Sequence, residues 1–168
     1  MRHFQAADLN DYIALFNDIP TRGDFFSPQQ LSPEAIRREF ATNGFSTDER
    51  ETFALIANGD ERLIGMITHF KSRTPICREL GFRLFATDLG RQGYMSEAVG
   101  VLCDYLFRSY AHQRIEMLMN VDNIASERVA QKNGFTYEGT MRAGFFINGK
   151  LSDSKVYSLL RSEWRPSR

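Results

Sequence analysis

Residues 79–98 read ELGFRLFATDLGRQGYMSEA, and the reading of this stretch decides the fold. Glu79–Phe85 is a run of β-formers and is expected as a strand. Asp88-Leu89-Gly90-Arg91-Gln92-Gly93 follows as a loop with two glycines. A helix is then expected from Met95 to about Tyr110, because Ala98, Leu102, Tyr105 and Leu106 recur on one face. Gly93 lacks a Cβ, so the backbone there can approach a ligand closely. The N–H groups of Gln92, Gly93, Tyr94, Met95 and Ser96 would converge at the helix start, where the helix dipole favours an anion. Arg91 adds a positive side chain and Ser96 a hydroxyl. This arrangement suits a phosphate; the plain alternative is a tight turn feeding a helix. The G-x-x-x-x-G-K-[ST] loop of nucleotide-binding enzymes is absent. Gly90 and Gly93 supply only two of the three glycines of a dinucleotide-binding turn.

The flanking segments extend the pattern. Upstream, Asp8 is a plausible N-cap for a helix carrying Tyr12, Leu15 and Phe16. Ser32-Pro33-Glu34 opens a second helix that runs to about Asn43 before Gly44, with serine at the cap and proline at the first helical position. Thr52–Ala57 and Leu63–Phe70 form a hairpin around Asn58-Gly59. Downstream, Arg114–Val121 is expected as a strand, Ile124–Asn133 as a helix stopped by Gly134, and Phe135–Met141 as a strand. Phe145-Phe146-Ile147 returns through Val156–Leu160, and Asn148-Gly149 between them favours a type I′ turn. The order is that of an α/β domain built on a mixed sheet, flanked by helices.

Composition sets the outer limits. The chain has 168 residues, 42% hydrophobic and 25% charged, which fits one globular domain over 1–168. Fourteen phenylalanines point to an aromatic core. The net charge of zero argues against a nucleic-acid partner held by bulk electrostatics. No apolar run approaches a membrane span, and Met1-Arg2-His3-Phe4 lacks the apolar stretch of a signal peptide. Cys77 and Cys103 are read as reduced thiols, so a cytoplasmic location is expected. His3, His69 and His112 are scattered, and no metal site is expected. Residues 1–60 carry 10 acidic and 5 basic side chains, residues 61–168 the other 11 acidic and 16 basic. A basic rear could hold an anionic cofactor and an acidic front, with Asp18, Asp24 and Glu34, could attract a cationic acceptor; chance scatter of solvated charge is the alternative.

Leu80-Gly81-Phe82-Arg83-Leu84 followed by Gly93-Tyr94-Met95-Ser96-Glu97-Ala98 resembles the acetyl-CoA-binding region of the GNAT acyltransferases. The run from Val121-Asp122-Asn123 through Ser126 to Asn133-Gly134-Phe135 resembles their RimJ/RimL-like branch, which acetylates N-terminal amines of ribosomal proteins. Glu138-Gly139, Asn148-Gly149, Asp153, Tyr157 and Glu163-Trp164 also match that branch. The resemblance implies a single domain whose central mixed sheet splays between Glu79–Phe85 and Arg114–Val121. Acetyl-CoA would lie in the gap, its pantetheine arm along Phe82, Arg83, Leu84 and Phe85. Its pyrophosphate would sit on the backbone of Arg91, Gln92, Gly93, Tyr94, Met95 and Ser96, with Asn123 as a further hydrogen-bonder. Departures are visible. The family loop is usually Q/R-x-x-G-x-G/A, and here only Gly93 is in register. The position of the common tyrosine acid is Ala130. The RimL-like serine acid is present as Ser126. The two positions where a glutamate base would fall are Phe145 and Leu118.

The resemblance thus implies an acetyl-CoA-dependent N-acetyltransferase working by direct attack of a primary amine. Ser126 would return a proton to the leaving thiolate, and Glu79 is a candidate to take the amine proton through water. Ser126 could equally be a polar residue in a first helical turn, Glu79 a surface charge, and Asn123 an N-cap. Asp153 and Glu116 are weaker candidates. The acceptor would be a protein N-terminus or a small amine, including a polyamine or an antibiotic. An acetyl-CoA sensor without turnover is the alternative from another class. A monomer or homodimer is expected, with no membrane partner.

Overall fold

In the computed structural model the described residues are 1–57, 59, 61–85 and 87–166. Seven strands form one sheet: β1 (Arg2–His3), β2 (Arg50–Ile56), β3 (Leu63–Lys71), β4 (Cys77–Leu84), β5 (Arg114–Asn120), β6 (Thr136–Ile147) and β7 (Lys150–Leu160). The helices are α1 (Leu9–Asn17), α2 (Pro33–Asn43), α3 (Tyr94–Ser109) and α4 (Ile124–Lys132), with short 3-10 turns at Ala6–Asp8 and Thr87–Leu89. The strand order is β1-β2-β3-β4-β5-β7-β6, antiparallel throughout except for the parallel pair β4–β5.

Both faces of the sheet are covered, and β2 shows how. Phe53 and Leu55 enter one apolar cluster, with Val99, Leu102 and Leu106 of α3 and Ala130 of α4. Ala54 between them enters the other, with Phe4, Tyr12 of α1, Ile36 of α2, Phe45 and Phe85. Alternate residues of a strand point to opposite faces, so one strand feeds two cores. The phenylalanines are shared between the two clusters, and in the second Phe4, Tyr12, Phe16, Phe40 and Phe45 pack ring on ring.

Local signals account for most boundaries. Ser32 caps α2 through its hydroxyl, which accepts from the Ala35 N–H at 3.4 Å, and Gly44 ends the helix at φ +62°. Asn148 and Gly149 both have positive φ, +52° and +75°, between paired Ile147 and Lys150, as a two-residue primed turn requires. The expected Asn58-Gly59 turn includes Asn58, which lies outside the described residues. Two readings are corrected. Asp8 precedes α1, but its side chain does not cap it. The carboxylate accepts from the Gln5 N–H at 2.7 Å and from Arg2 at 2.7 and 2.8 Å. The charged partner outcompetes the helix end. The segment 136–147 is one bulged strand, its register shifting between Met141 and Phe145, rather than a strand and a separate hairpin arm.

The feature that makes a site is the pairing of β4 with β5. They pair only at Cys77–Arg114, Arg78–Ile115 and Glu79–Glu116. Beyond Glu79, β4 stays with β3 as far as Leu84 opposite Gly65. β5 stays with β7 as far as Asn120 opposite Ser154. The sheet therefore opens into a V. Gly65 allows the close contact of β3 with β4 at the rim: a Cβ there would lie 2.5 Å from the Arg83 carbonyl oxygen.

Candidate active site

One side of the V is backbone. Phe85 donates its N–H to the Ile64 carbonyl at 2.9 Å, and the β3–β4 ladder runs in register from there. In an antiparallel ladder the backbone groups of successive residues turn alternately to the two sides. Arg83 and Phe85 therefore turn theirs to β3, while Leu80, Phe82 and Leu84 turn theirs to the gap, where β5 has left. An extended chain carrying amides could pair with that edge. Of the four residues expected to line the arm, Phe82 and Leu84 can do so through backbone. Arg83 is 4% exposed and directs its side chain to the end of α1. Phe85 is 1% exposed in the second core. Neither side chain of those two faces the gap.

The chain leaves β4 through a 3-10 turn and enters α3 at Tyr94, one residue earlier than expected. The N-cap is Gly93 at φ +90°, and no side chain caps the helix end. The first intrahelical bond runs from the Glu97 N–H to the Gly93 carbonyl, so the N–H groups of Tyr94, Met95 and Ser96 precede the ladder and point outward. A Cβ on Gly93 would meet nothing within 4 Å; the glycine is required by its left-handed backbone, not by crowding. Met95 is buried and Tyr94 half-buried against the core, so both contribute backbone rather than side chain. The Gln92 side chain donates to the Asp88 carbonyl at 2.9 Å, and Arg91 is exposed. These residues fit an anion held by backbone at the carboxyl end of a strand beside a gap in the sheet.

The other side of the V is made of side chains. Asn123 caps α4, its Oδ1 accepting from the Ser126 N–H at 3.1 Å. The capping role considered for Asn123 is thus filled, and Ser126, in the first turn of α4, lines the cleft. Glu127 accepts from Lys155 at 2.8 Å and from the Tyr157 hydroxyl at 2.7 Å, which ties this helical turn to β7. A pocket of about 140 Å³ brings Phe82, Asn123 and Ser126 together with Phe25 and Phe26 of the α1–α2 segment, Leu118 of β5, and Phe145 and Ile147 of β6. Asn120 also lines it, held by the Ser152 hydroxyl at 2.7 Å.

Leu118 and Phe145, the two positions where a glutamate base was sought, are both on this wall, and both are apolar. Phe25, Phe26, Asn120 and Ile147 were not anticipated. Paired aromatics between Gly23-Asp24 and Ser27-Pro28 were a usable signal, since Phe26 is 41% exposed at the pocket mouth. Asp18, Asp24 and Glu34 of the acidic front are not among the residues that line the pocket. Asp8 pairs with Arg2, Glu39 with Arg50 and Glu49 with Lys71. No carboxylate lies on the pocket wall among the described residues.

Glu79 is half-buried at the apex of the V, opposite Glu116, and is not on the pocket wall. Burial works against ionisation of Glu116. Hydrogen bonds from Ser72 at 2.6 Å and Arg114 at 2.7 Å outweigh it and hold that carboxyl below its ordinary range. Burial and the neighbouring Glu116 charge push Glu79 the other way, to hold its proton more readily than an ordinary glutamate. Burial likewise lifts the thiols, Cys77 to about 11 and Cys103 to about 12, as expected of packing residues rather than nucleophiles. Among the described residues no group of three or more His, Cys, Asp or Glu is placed to hold a metal ion. Among the described residues no helix is long and apolar enough to cross a membrane.

Known proteins share this architecture. The family model for the acetyltransferase (GNAT) domain matches residues 1–136. A probable N-acetyltransferase of Bacillus subtilis, YjcK, is 33% identical over 118 residues, which are 69% of this chain and 65% of that protein. The chain thus spans somewhat under two thirds of that relative. The ribosomal-protein-serine acetyltransferase of Escherichia coli is 32% identical over 101 residues, 59% of this chain and 55% of that protein. Two solved structures share the fold. RimL, a ribosomal L7/L12 α-N-protein acetyltransferase in complex with coenzyme A, superposes with a TM-score of 0.83 at 21% identity, over 96% of this chain and 93% of that one. Spermidine N-acetyltransferase from Vibrio cholerae, in complex with CoA and spermine, gives 0.81 at 20% identity, over 96% and 95%. The splayed parallel pair, the glycine-capped helix at its mouth and the match over residues 1–136 lead to one conclusion: the chain belongs to the GNAT acetyltransferase family.

Proposed function

We propose that residues 1–168 form one acetyl-CoA-dependent N-acetyltransferase domain, working in the cytoplasm on the α-amine of a peptide whose first side chain is uncharged. The observation that carries this reading is the pocket at the open end of the V. It has a backbone edge on one side, a serine and two asparagines at its end, and an apolar wall of Phe25, Phe26, Leu118, Phe145 and Ile147. A polyamine carries further ammonium groups that need carboxylates, and this wall supplies none. The likeness to the ribosomal-protein-serine acetyltransferase of Escherichia coli supports a peptide acceptor.

In this reading the gap-facing backbone of Phe82 and Leu84 orients the acetyl-carrying arm, and the N–H groups of Tyr94, Met95 and Ser96 hold the pyrophosphate. Acetyl-CoA supplies an activated acyl group with a good leaving thiolate. The apolar wall excludes water and sets the neutral amine against the thioester carbonyl, and positioning of this kind is worth several kcal/mol. The nitrogen–carbon bond forms, the carbon–sulfur bond breaks, and Glu79 receives the amine proton through water, while the Ser126 hydroxyl passes a proton to the sulfur and takes one back from water. Glu79 suits that task because burial and the charge on Glu116 raise its proton affinity. The test is thiol release from acetyl-CoA with a panel of amines. Short peptides with free, uncharged N-terminal residues should turn over at least tenfold faster than spermidine, the scale of an unpaired charge in an apolar pocket. Spermidine as the preferred acceptor would overturn the peptide reading. Acetyl-CoA binding without turnover of any amine would overturn the enzyme reading in favour of a sensor.

A further inference from the structure

Two arginines lie buried behind the pocket, and neither makes an ion pair of its own among the described residues. Arg22 is 6% exposed and Arg83 4%. Arg22 donates to the carbonyls of Phe16, Ser27 and Gln29. Arg83 donates to the carbonyls of Phe16, Leu15 and Asp18, at 2.9, 3.3 and 3.4 Å. The two guanidiniums therefore meet at one carbonyl, that of Phe16, near the end of α1. The Phe16 ring is also shared, 5.5 Å from the Arg22 guanidinium and 5.6 Å from that of Arg83, and Arg83 lies 5.8 Å from the Phe26 ring. The Nε of each arginine is buried without a hydrogen-bond partner.

A buried guanidinium bonded only to carbonyls is a costly way to fill space. What it provides is a rigid planar fork that reaches several carbonyls of separate segments at once. Every carbonyl held here belongs to the last turn of α1 or to the segment that leads from it to α2. That segment carries Phe25 and Phe26, the part of the acceptor wall with no strand or helix of its own. Arg83 sits between Phe82 and Leu84, whose backbone forms the gap edge. One strand thus turns two backbone positions to one substrate and a side chain to the loop that walls the other.

We propose that Arg22 and Arg83 are positioning residues for the acceptor, fixing Phe25 and Phe26 at the mouth of the cleft by clamping the carbonyls on either side of them. The proposal rests on the acetyltransferase reading for its kinetic consequence, not for its structural one. Lysine keeps the charge but lacks the fork, so Arg83→Lys and Arg22→Lys are the informative variants, the second lying in the loop and outside the sheet. Each should raise the KM for a peptide amine about tenfold, the scale of a slightly misplaced binding wall. The kcat at saturating amine and the acetyl-CoA Kd should stay within about twofold of wild type.

Chymotrypsin cleavage after Phe25 or Phe26, identified by mass, should accelerate in both variants, because the loop opens locally while the domain stays folded. An unchanged cleavage rate would overturn the clamp, and so would an equal loss of acetyl-CoA affinity. If Arg83→Lys does not fold, Arg22→Lys decides by the same two readouts. If wild type acetylates no amine, the functional reading fails, and the cleavage rates alone decide whether the arginines hold the loop.

Discussion

The strand-and-helix side of the cleft and the loop-and-hairpin side face each other across the same gap, and they are built from different materials. The first offers backbone: the free edge of β4 at Phe82 and Leu84, and the leading N–H groups of α3 behind Gly93. The second offers side chains drawn from four places in the chain, Phe25 and Phe26, Leu118, Asn123 and Ser126, and Phe145 and Ile147. Backbone recognition suits a ligand that never changes, because amides and phosphates look the same whatever they are joined to. Side-chain recognition suits the partner that varies between relatives, because a wall of side chains can be exchanged without disturbing the sheet. In that light, relatives named for ribosomal proteins and for spermidine can share one fold.

The sharpest break of this comparison is at Ser126, the one side chain on the variable side to which chemistry is assigned. Ser126→Ala should lower kcat roughly 100-fold, the low end for proton transfer to a good leaving group. The acetyl-CoA Kd should be unchanged. Because Asn123, not Ser126, caps α4, the melting temperature should barely move. Kinetics and a melt on the same preparation check this, and a fully active variant would remove Ser126 from the mechanism.

The backbone side is tested at Gly93. An alanine there meets no steric obstacle, but at φ +90° it is strained. Relief of that strain turns the leading N–H groups away, and the strain is worth about 1–2 kcal/mol. Gly93→Ala should therefore weaken acetyl-CoA about 5–30-fold by calorimetry and leave the relative preference among amines alone. Unchanged affinity in a folded protein would show that the helix start holds no phosphate. The smallest expected effect sharpens the other side. Phe145→Glu places a carboxylate on the apolar wall, where a cationic acceptor could pair with it. The ratio of kcat/KM for spermidine to that for a neutral peptide should rise about fivefold, since specificity is a difference between two binding free energies. A ratio that does not move would mean the hairpin does not touch the acceptor.

Much of the first side was legible in the sequence. The run from Glu79 to Ala98 alternates as a strand, breaks at glycines and resumes at helical spacing, and those signals are local. The cap at Ser32, the turn at Asn148-Gly149 and the stop at Gly134 are local too, and the structure keeps them. Readings that depended on competition between partners fared differently. Asp8 was legible as a cap, but Arg2 takes its carboxylate. Arg83 and Phe85 were legible as strand residues, yet which edge their backbone serves depends on the register with β3. Glu79 was legible as a carboxylate near the cofactor strand. Its raised proton affinity comes from burial in the sheet and from the ionised Glu116 opposite, which Arg114 and Ser72 hold from other segments.

By itself, then, the sequence determined the elements, their order and the glycine-led helix start, because each follows from periodicity, capping and backbone conformation within a few residues. The family resemblance implied that these two strands splay; only the tertiary structure decided that β4 and β5 part after Glu79, and that an apolar wall from three segments closes the gap. It also decided that two buried arginines tie one of those segments to the strand behind it. Apart from the loop contacts of Arg22, those facts are contacts between residues far apart in the chain. They are fixed by which antiparallel partner each strand follows and by which carbonyls a guanidinium can reach, and neither leaves a periodic trace in the order of the amino acids.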